Sequence, residues 1–379
     1  MKDSVIIFGA GAVGRGFIAR LLSAKGLTPV FVENDVKLAR RLNEVDGYIV
    51  RVTGAEKRDC RVSDYKVLTP QQGGEISKAL TGCLFMTTAV GGRNLDSVAR
   101  IVASGLAGAS KRHDKPLNIL LCENWPDAEK VLAEALLKAE CDKDSFACVR
   151  CSVERMVRGG ESELDLIAED GQPFYVDRRT WKGEQGDVVC GIEGLTFTDN
   201  IDAIYARKLF TSNAGGAALA YFGYLSGCCF LYEALEIPEI RKNLTALLNV
   251  AKQCLIESFG LDEAELERHL DELMDRRFPN RDLADTVQRV ARNPLRKLGS
   301  QERLAGLVHL LRRHSLSTEP VSRVIGAALN YRDPADAESL ELSRIIAQKG
   351  ARVVLEDICG FKKQESCFEE CLEFYDYYS

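Results

Sequence analysis

The sequence predicts two domains: an α/β domain built on a mostly parallel sheet, followed by an all-α domain. Three observations carry that expectation. The chain has 379 residues, too many for one compact core. Its first half alternates short β-rich apolar runs with helical patterns. After residue 195 the strand-like runs stop and apolar residues recur at i, i+3 and i+4 instead. The boundary is therefore placed near 195, giving domains 1–195 and 196–379.

The first strand is expected over Ser4–Phe8. It runs into Gly9-Ala10-Gly11-Ala12-Val13-Gly14, and Phe17, Ile18, Leu21 and Leu22 then recur at helical spacing. Strand, GxGxxG, helix is the dinucleotide-binding pattern of a Rossmann domain. Gly9 makes the tight turn, Gly11 lets a pyrophosphate approach the backbone, and Gly14 lets helix pack on strand. The helix N-terminus offers unpaired N–H groups to the phosphates. A second strand, Thr28 to Val32, ends at Glu33, which lies 19 residues after Gly14. A carboxylate there accepts the ribose hydroxyls of NAD and repels the 2′-phosphate of NADP. Lys37, Arg40 and Arg41 follow closely and keep NADP from being excluded outright, although such a run also reads as a solvated helix face.

Further strands are expected at Leu84–Val90, ending in Gly91-Gly92, at Leu117–Cys122, ending in Glu123-Asn124, and at Phe146–Val157. Ligands of open α/β sheets sit beyond the carboxyl ends of the strands, so Thr88, Gly91 and Asn124 are site candidates by position. Leu164–Glu169 and Phe174–Val176, joined by Asp170-Gly171-Gln172-Pro173, read as a hairpin added to the sheet.

In the second half, Thr198-Asp199-Asn200 supplies caps for a long helix from Ile201 to about Ser226. At 100° per residue, Lys208, Ser212, Gly215 and Gly216 share one side of it, with Asn213 on the flank. Adjacent mid-helix glycines each cost about 1 kcal/mol against alanine, which suggests a close approach by a backbone or a ligand. A desolvated lysine there would have a lowered pKa and could act as a general base. A snorkelling lysine on a packed helix is the alternative.

Composition narrows the partners. The 46% hydrophobic and 28% charged residues are those of an ordinary globular protein, and a net charge of −6 argues against a nucleic-acid surface. No apolar run approaches the roughly 20 residues of a membrane span. The opening apolar run is only four or five residues and enters a glycine loop, so it reads as a strand rather than a signal peptide, and the expected location is cytoplasmic. The cysteines number 13, an odd count without a repeating frame. Cys148 and Cys151 form a lone CxxC inside a strand-like run, and reduced thiols are expected throughout. No cluster has zinc-ligand spacing, so no metal is expected.

In order along the chain, Gly9-Ala-Gly-x-x-Gly14-Arg15-Gly-Phe17, Thr87-Thr-Ala-Val-Gly91, Cys122-Glu-Asn124, Lys208-Leu-Phe-Thr-x-Asn213 and Pro294-Leu-Arg-Lys-Leu298 resemble the mannitol dehydrogenase family of polyol-specific long-chain dehydrogenases. The resemblance covers essentially the whole chain, whose length matches the sugar-phosphate branch. It implies a metal-independent, NAD-dependent exchange of hydride between a polyol phosphate and a ketose phosphate. Mannitol 1-phosphate and fructose 6-phosphate are the first pair to try, and the expected assembly is a monomer or homodimer.

By the same resemblance Lys208 is the general base, and Asn213 and Asn124 hydrogen-bond the developing alkoxide. Arg289 and Lys297 match a basic pair that contacts substrate, Glu154 stands at the family's Asp-Arg position, and Arg15 belongs to the cofactor motif. Arg296 is the candidate for a terminal phosphate. Four positions depart from the family pattern: Gly216 replaces a histidine, Glu154 an aspartate, and Asn330-Tyr331 a His-Phe pair. None of His113, His269, His309 and His314 occupies a motif position. These departures leave open another polyol or a sugar acid as substrate, or a weakened NAD-binding regulatory homologue.

Overall fold

A computed structural model describes residues 3–54, 57–107, 116–125, 127–171, 173–184 and 189–379. His113 and Gln172 lie outside them. The chain forms two compact units, Met1–Ile201 and Asp202–Ser379.

The first unit holds an eight-stranded sheet. In chain order its strands are β1 (Ser4–Phe8), β2 (Thr28–Val32), β5 (Lys66–Leu68), β6 (Met86–Thr88), β7 (Leu117–Leu121), β8 (Phe146–Val153), β11 (Phe174–Asp177) and β12 (Leu195–Thr198). Across the sheet they run β12-β11-β8-β7-β6-β1-β2-β5. All neighbouring pairs are parallel except β8 with β11. Parallel strands are buried on both faces, which explains why stretches such as Val5–Phe8 and Ile119–Leu121 are apolar without alternation. On β1, Ile6 and Phe8 pack with Met86 and Ile119 on one face, while Val5 and Ile7 pack with Phe31 and Leu120 on the other.

A second, four-stranded sheet was not expected. It is made of β3 (Tyr48–Thr53), β4 (Arg58–Val62), β9 (Val157–Gly159) and β10 (Leu166–Glu169), in the order β4-β3-β10-β9. It corrects two expectations. Phe146–Val157 is not one strand: β8 ends at Val153 and the chain crosses at Glu154–Met156 into β9. Nor is the Leu164–Val176 segment a hairpin. β10 pairs with β3 and β9, whereas β11 pairs with β8 and β12 in the other sheet. The Asp170-Gly171 turn looks like a hairpin connection, but Asp170 N donates to Thr53 O at 2.9 Å and anchors the chain to β3. Local turn chemistry is the same in both cases; the partner strand is decided by distant pairing.

The first unit also extends past 195. The run Leu195–Thr198 pairs in parallel with β11 and belongs to the sheet, so the pattern change falls at the caps that follow it. Asn200 N then donates to Thr198 Oγ1 at 3.1 Å, and the first helix of the second unit starts at Ile201.

The second unit is helical, with one apolar core. Its longest helix, Pro238–Phe259, opens on a proline and closes on Gly260 at φ 63°, a left-handed position suited to glycine. Leu244, Leu247, Leu248 and Ala251 form its buried stripe, facing residues such as Leu307 and Leu311 of the Ala305–Arg313 helix.

Candidate functional site

In the first unit the glycine loop follows β1. Gly9 sits at φ 95°, and a Cβ there would meet Ala89 O at 2.5 Å. A Cβ on Gly14 would run into Gly9 O. Both positions therefore require glycine for internal reasons. Gly11 is different: a Cβ built there meets nothing within 4 Å among the described residues. Its open side is what a phosphate needs to reach the backbone. The helix behind the loop starts as an i→i+5, π-helical stretch, Gly14–Ala19, before continuing as Arg20–Ala24.

Glu33 meets this loop directly. Its Oε2 accepts from Ala10 N at 2.6 Å and its Oε1 from Asp35 N at 2.8 Å. The carboxylate is thus oriented at the end of β2 with lone pairs to spare. Of the basic run beyond it, Arg40 pairs with Glu44 at 2.7 Å and Arg41 pairs with Glu163.

Arg15 turns inward. Only 6% exposed, it donates through Nε to Ala10 O at 2.6 Å and through Nη1 to Leu164 O at 2.5 Å, and burial lowers its pKa. It braces the glycine loop against the segment leading into β10. Tyr48 completes the brace, donating its hydroxyl to Arg15 O at 3.0 Å.

At the ends of β6 and β7, Glu123 accepts from Val90 N at 2.9 Å and Gly91 N at 2.8 Å, clamping the turn at Gly91, where φ is 82°. Sequence reasoning passed over Glu123. The available signal was a carboxylate next to two strand ends whose turn amides needed acceptors. Thr88 is fully buried, and its Oγ1 has no hydrogen-bond partner among the described residues. Asn124 is exposed, with no hydrogen bond from its amide among the described residues. Glu154 is 1% exposed and lies just past β8, beside the buried Arg155.

In the second unit the expected single helix has three parts: Ile201–Arg207, a π-helical stretch over Lys208–Asn213, and Ala214–Leu225. Ala214 N donates to Leu209 O, five residues back. The 100° wheel is therefore wrong across this stretch. A spacing of five residues puts Asn213 about 140° from Lys208 in an α-helix, but at about 85° per residue the separation falls to roughly 65°. The π turn draws the two half-buried side chains onto a common side. Thr211 stabilises the stretch from within. Its hydroxyl donates to Arg207 O at 2.6 Å and meets His269 Nε2 at 2.9 Å. Ser212 Oγ accepts from Arg277 Nη1 at 3.3 Å.

The adjacent glycines have separate explanations. A Cβ on Gly215 would crowd Phe278 at 3.0 Å and Leu244 at 3.3 Å, so that glycine lets helices approach. At Gly216 the nearest atom is Val290 Cγ1 at 3.8 Å, which leaves ordinary room for a side chain to begin.

The basic residues near 290 go different ways. Arg289 is half exposed and forked onto Asp285 at 2.6 and 2.7 Å. Lys297 is 5% exposed on the Pro294–Leu298 helix, and its amine donates to Arg292 O. Asp336 and Glu338 hold that turn by accepting from Asn293 N and Arg296 N at 2.8 and 2.9 Å. The Arg296 guanidinium keeps a buried Nε with no partner among the described residues. Tyr331 and Asn330 are tied into the core, the hydroxyl to Asp333 at 3.1 Å and the amide to Tyr375 O at 2.9 Å.

Burial, with Arg303 and Arg296 adding repulsion, pushes Lys297 down to about 7. The sign of the consequence follows from linkage. Between pH 7 and the usual lysine range the unfolded chain binds the proton and the folded chain does not, so stability from this group rises with pH. Below pH 7 both states are protonated and the cost of burying the ammonium is fully present. Lys297→Met is accordingly expected to raise Tm most at pH 6–7, with the gain shrinking towards pH 10. Parallel Tm curves for the two proteins across that range would contradict the buried amine.

Among the described residues no group of three or more His, Cys, Asp or Glu could hold a metal ion, and no helix is long and apolar enough to cross a membrane. All 13 cysteines are free thiols. Burial pushes Cys148 up to about 12 and Cys151 well above the ordinary thiol range, which makes that CxxC unreactive.

Residues 3–180 match the mannitol dehydrogenase Rossmann domain and residues 200–360 the mannitol dehydrogenase C-terminal domain. The chain is 34% identical over 362 residues to a mannitol-1-phosphate 5-dehydrogenase of Arthrobacter sp. (strain FB24), covering 93% of this chain and 92% of that one. It is 32% identical to the enzyme of the same name from Bacillus licheniformis, covering 96% and 97%. Among solved structures, the Pseudomonas fluorescens mannitol 2-dehydrogenase ternary complex with NAD and D-mannitol superposes with a TM-score of 0.78 at 14% identity, over 99% of this chain and 92% of that one. A substrate-free D-sorbitol dehydrogenase gives a TM-score of 0.78 at 16% identity, covering 99% and 93%.

Proposed function

This chain belongs to the mannitol dehydrogenase family, and on that premise we propose that it is an NAD-dependent oxidoreductase interconverting a polyol phosphate and a ketose phosphate. The observation that carries the cofactor half of the reading is the Glu33 carboxylate seated on Ala10 N–H beside the open face of Gly11. The substrate half rests on the relatives named mannitol-1-phosphate 5-dehydrogenase.

NAD supplies the acceptor for the hydride that leaves the carbinol carbon. Glu33 takes the ribose hydroxyls, and the loop amides at Gly11 take the pyrophosphate. Lys208 accepts the hydroxyl proton as charge builds on the substrate oxygen. Asn213, and the unengaged amide of Asn124, donate hydrogen bonds to that oxygen, which is where preorganised donors contribute most. Arg296, with a guanidinium nitrogen in need of an acceptor, takes the phosphate. Gly216 leaves space where the family pattern has a histidine, so the substrate's remaining hydroxyls lack one donor from this helix.

The test is a spectrophotometric NADH assay against ketose phosphates, free ketoses and keto-acids, repeated with NADPH. Turnover is expected with fructose 6-phosphate or a close relative, and NADH is expected to be preferred by about tenfold or more, since a 2′-phosphate would face a carboxylate. A preference for NADPH would remove Glu33 from its role. Cofactor binding without turnover on any of these carbonyls would leave a nucleotide-binding protein that has lost the reaction.

A further inference from the structure

The first unit contains a cavity of about 440 Å³, between the Arg20–Ala24 helix and β4, that no step above uses. Arg20 lines it while being only 2% exposed, and its Nε and Nη2 find no hydrogen-bond partner among the described residues. Ser23, one turn on and also on the lining, has a buried Oγ without a hydrogen-bond partner among the described residues. From β4, Arg58 and Arg61 face the same space. The carboxylates on the wall are Asp64 and Glu193, and Arg58 holds Glu193 at 3.3 Å. Neither Arg20 nor Arg61 forms an ion pair among the described residues. A second buried arginine lies close enough for Arg20 to lower its pKa: Arg155 is held down at about 10, by burial first and Arg20 next.

A buried guanidinium without a counter-charge is strongly unfavourable, and an isolated charge of this kind is normally paired or coordinated. We propose that this cavity is a phosphate-binding site, occupied by inorganic phosphate or the phosphate of a small phosphorylated metabolite, separate from the cofactor loop. Arg20 presents a fixed fork, Ser23 a hydroxyl and Arg61 a second guanidinium. Donors from a helix and from β4 suit the several oxygens of a tetrahedral dianion better than the two of a carboxylate. The volume lies in the range of small-molecule sites and exceeds what one phosphate group fills, so there is room for an attached sugar. Arg20 stands six residues beyond Gly14, where the π-helical stretch behind the glycine loop passes into Arg20–Ala24. The site is independent of the substrate assignment above.

The test is calorimetric titration of the full-length protein with inorganic phosphate at constant ionic strength and saturating NAD, then with glucose 6-phosphate. Phosphate binding is expected, weakened about tenfold or more in Arg20→Met and in Arg61→Gln, because each loses a charge-assisted contact. The same titrations are run on Arg296→Gln, which removes the contact proposed for the substrate's phosphate: binding that persists there belongs to the cavity, and binding lost there would place it at the substrate site and overturn the proposal. Tighter binding of glucose 6-phosphate would identify a phosphorylated metabolite as the occupant, and tighter binding of phosphate the free ion. Cys60, also on the lining, supplies a readout without mutation: phosphate should slow its alkylation, measured peptide by peptide, and leave exposed Cys229 unaffected. If Arg20→Met does not fold, Arg61→Gln and Cys60 protection still decide. No binding by the unmodified protein, binding indifferent to Arg61→Gln, or an unprotected Cys60 would each overturn the site.

Discussion

Replacing Lys208 with alanine is expected to lower turnover by about 10² or more while leaving NAD affinity within a factor of about two, the scale for removing a positioned general base. The expectation follows from where the residue stands. It opens the π-helical stretch Lys208–Asn213, half-buried, with Asn213 drawn towards its side and Thr211 and Ser212 anchored beneath by His269 and Arg277. Because the base acts on the hydroxyl proton, the rise of kcat with pH in the unmodified enzyme should disappear in the variant. Lys208→Arg, which keeps the charge but cannot give up its proton near neutrality, should be as inactive as Lys208→Ala. Near wild-type turnover in either variant would move the base elsewhere. The buried amine of Lys297, already pushed down to about 7, would be the next residue to test.

The second large effect separates two glycines of one loop. Gly11→Ala should fold with an unchanged Tm, because its methyl meets no atom of the described residues within 4 Å, yet bind NAD about 10- to 100-fold more weakly. The methyl would occupy the approach of the pyrophosphate and forfeit charge-assisted hydrogen bonds worth about 1.5–3 kcal/mol each. Gly14→Ala should do the reverse first: its Cβ runs into Gly9 O, so the loop must shift, at a cost of about 1–3 kcal/mol in stability. Thermal melts and cofactor titrations on both variants check this. Equal Tm losses, or undiminished affinity in Gly11→Ala, would mean that the cofactor does not lie over Gly11.

How far each part was legible depended on the range of the forces that fix it. β1 and β2 were readable to the residue, because a doubly buried strand must be an uninterrupted apolar run. Glycines with an internal clash, such as Gly9, mark themselves through the turn they require. The second sheet was not legible. What pairs Leu166 of β10 with Val50 of β3 is a contact between segments more than a hundred residues apart. Their local patterns read equally well as a hairpin and a long strand. In the candidate site, residue types were easier to find than directions. Arg15 was visible as part of the loop, but its turn inward to Leu164 O depends on that same unseen sheet. Arg289 could be placed on a helix, whereas its fork onto Asp285 is one of several ion pairs an exposed arginine can choose. The π stretch was missed for another reason: a helix wheel assumes the winding that it is used to test.

That winding has a consequence for how this helix tolerates change in length. An i→i+5 stretch is equivalent to an α-helix that has accommodated one inserted residue. Losing any single residue between Lys208 and Asn213 would let the segment relax to ordinary winding with every backbone bond still made. The downstream turn would keep nearly the same facing relative to Ile201–Arg207, because five steps at about 85° and four at about 100° differ by only about 25°. Gly215 would stay against Phe278 and Leu244, and the ten successive buried residues Ala214–Gly223 would keep their neighbours. The wide turn is therefore a place where the chain can change length without shifting the core, and a relative one residue shorter here needs no compensating change on Pro238–Phe259.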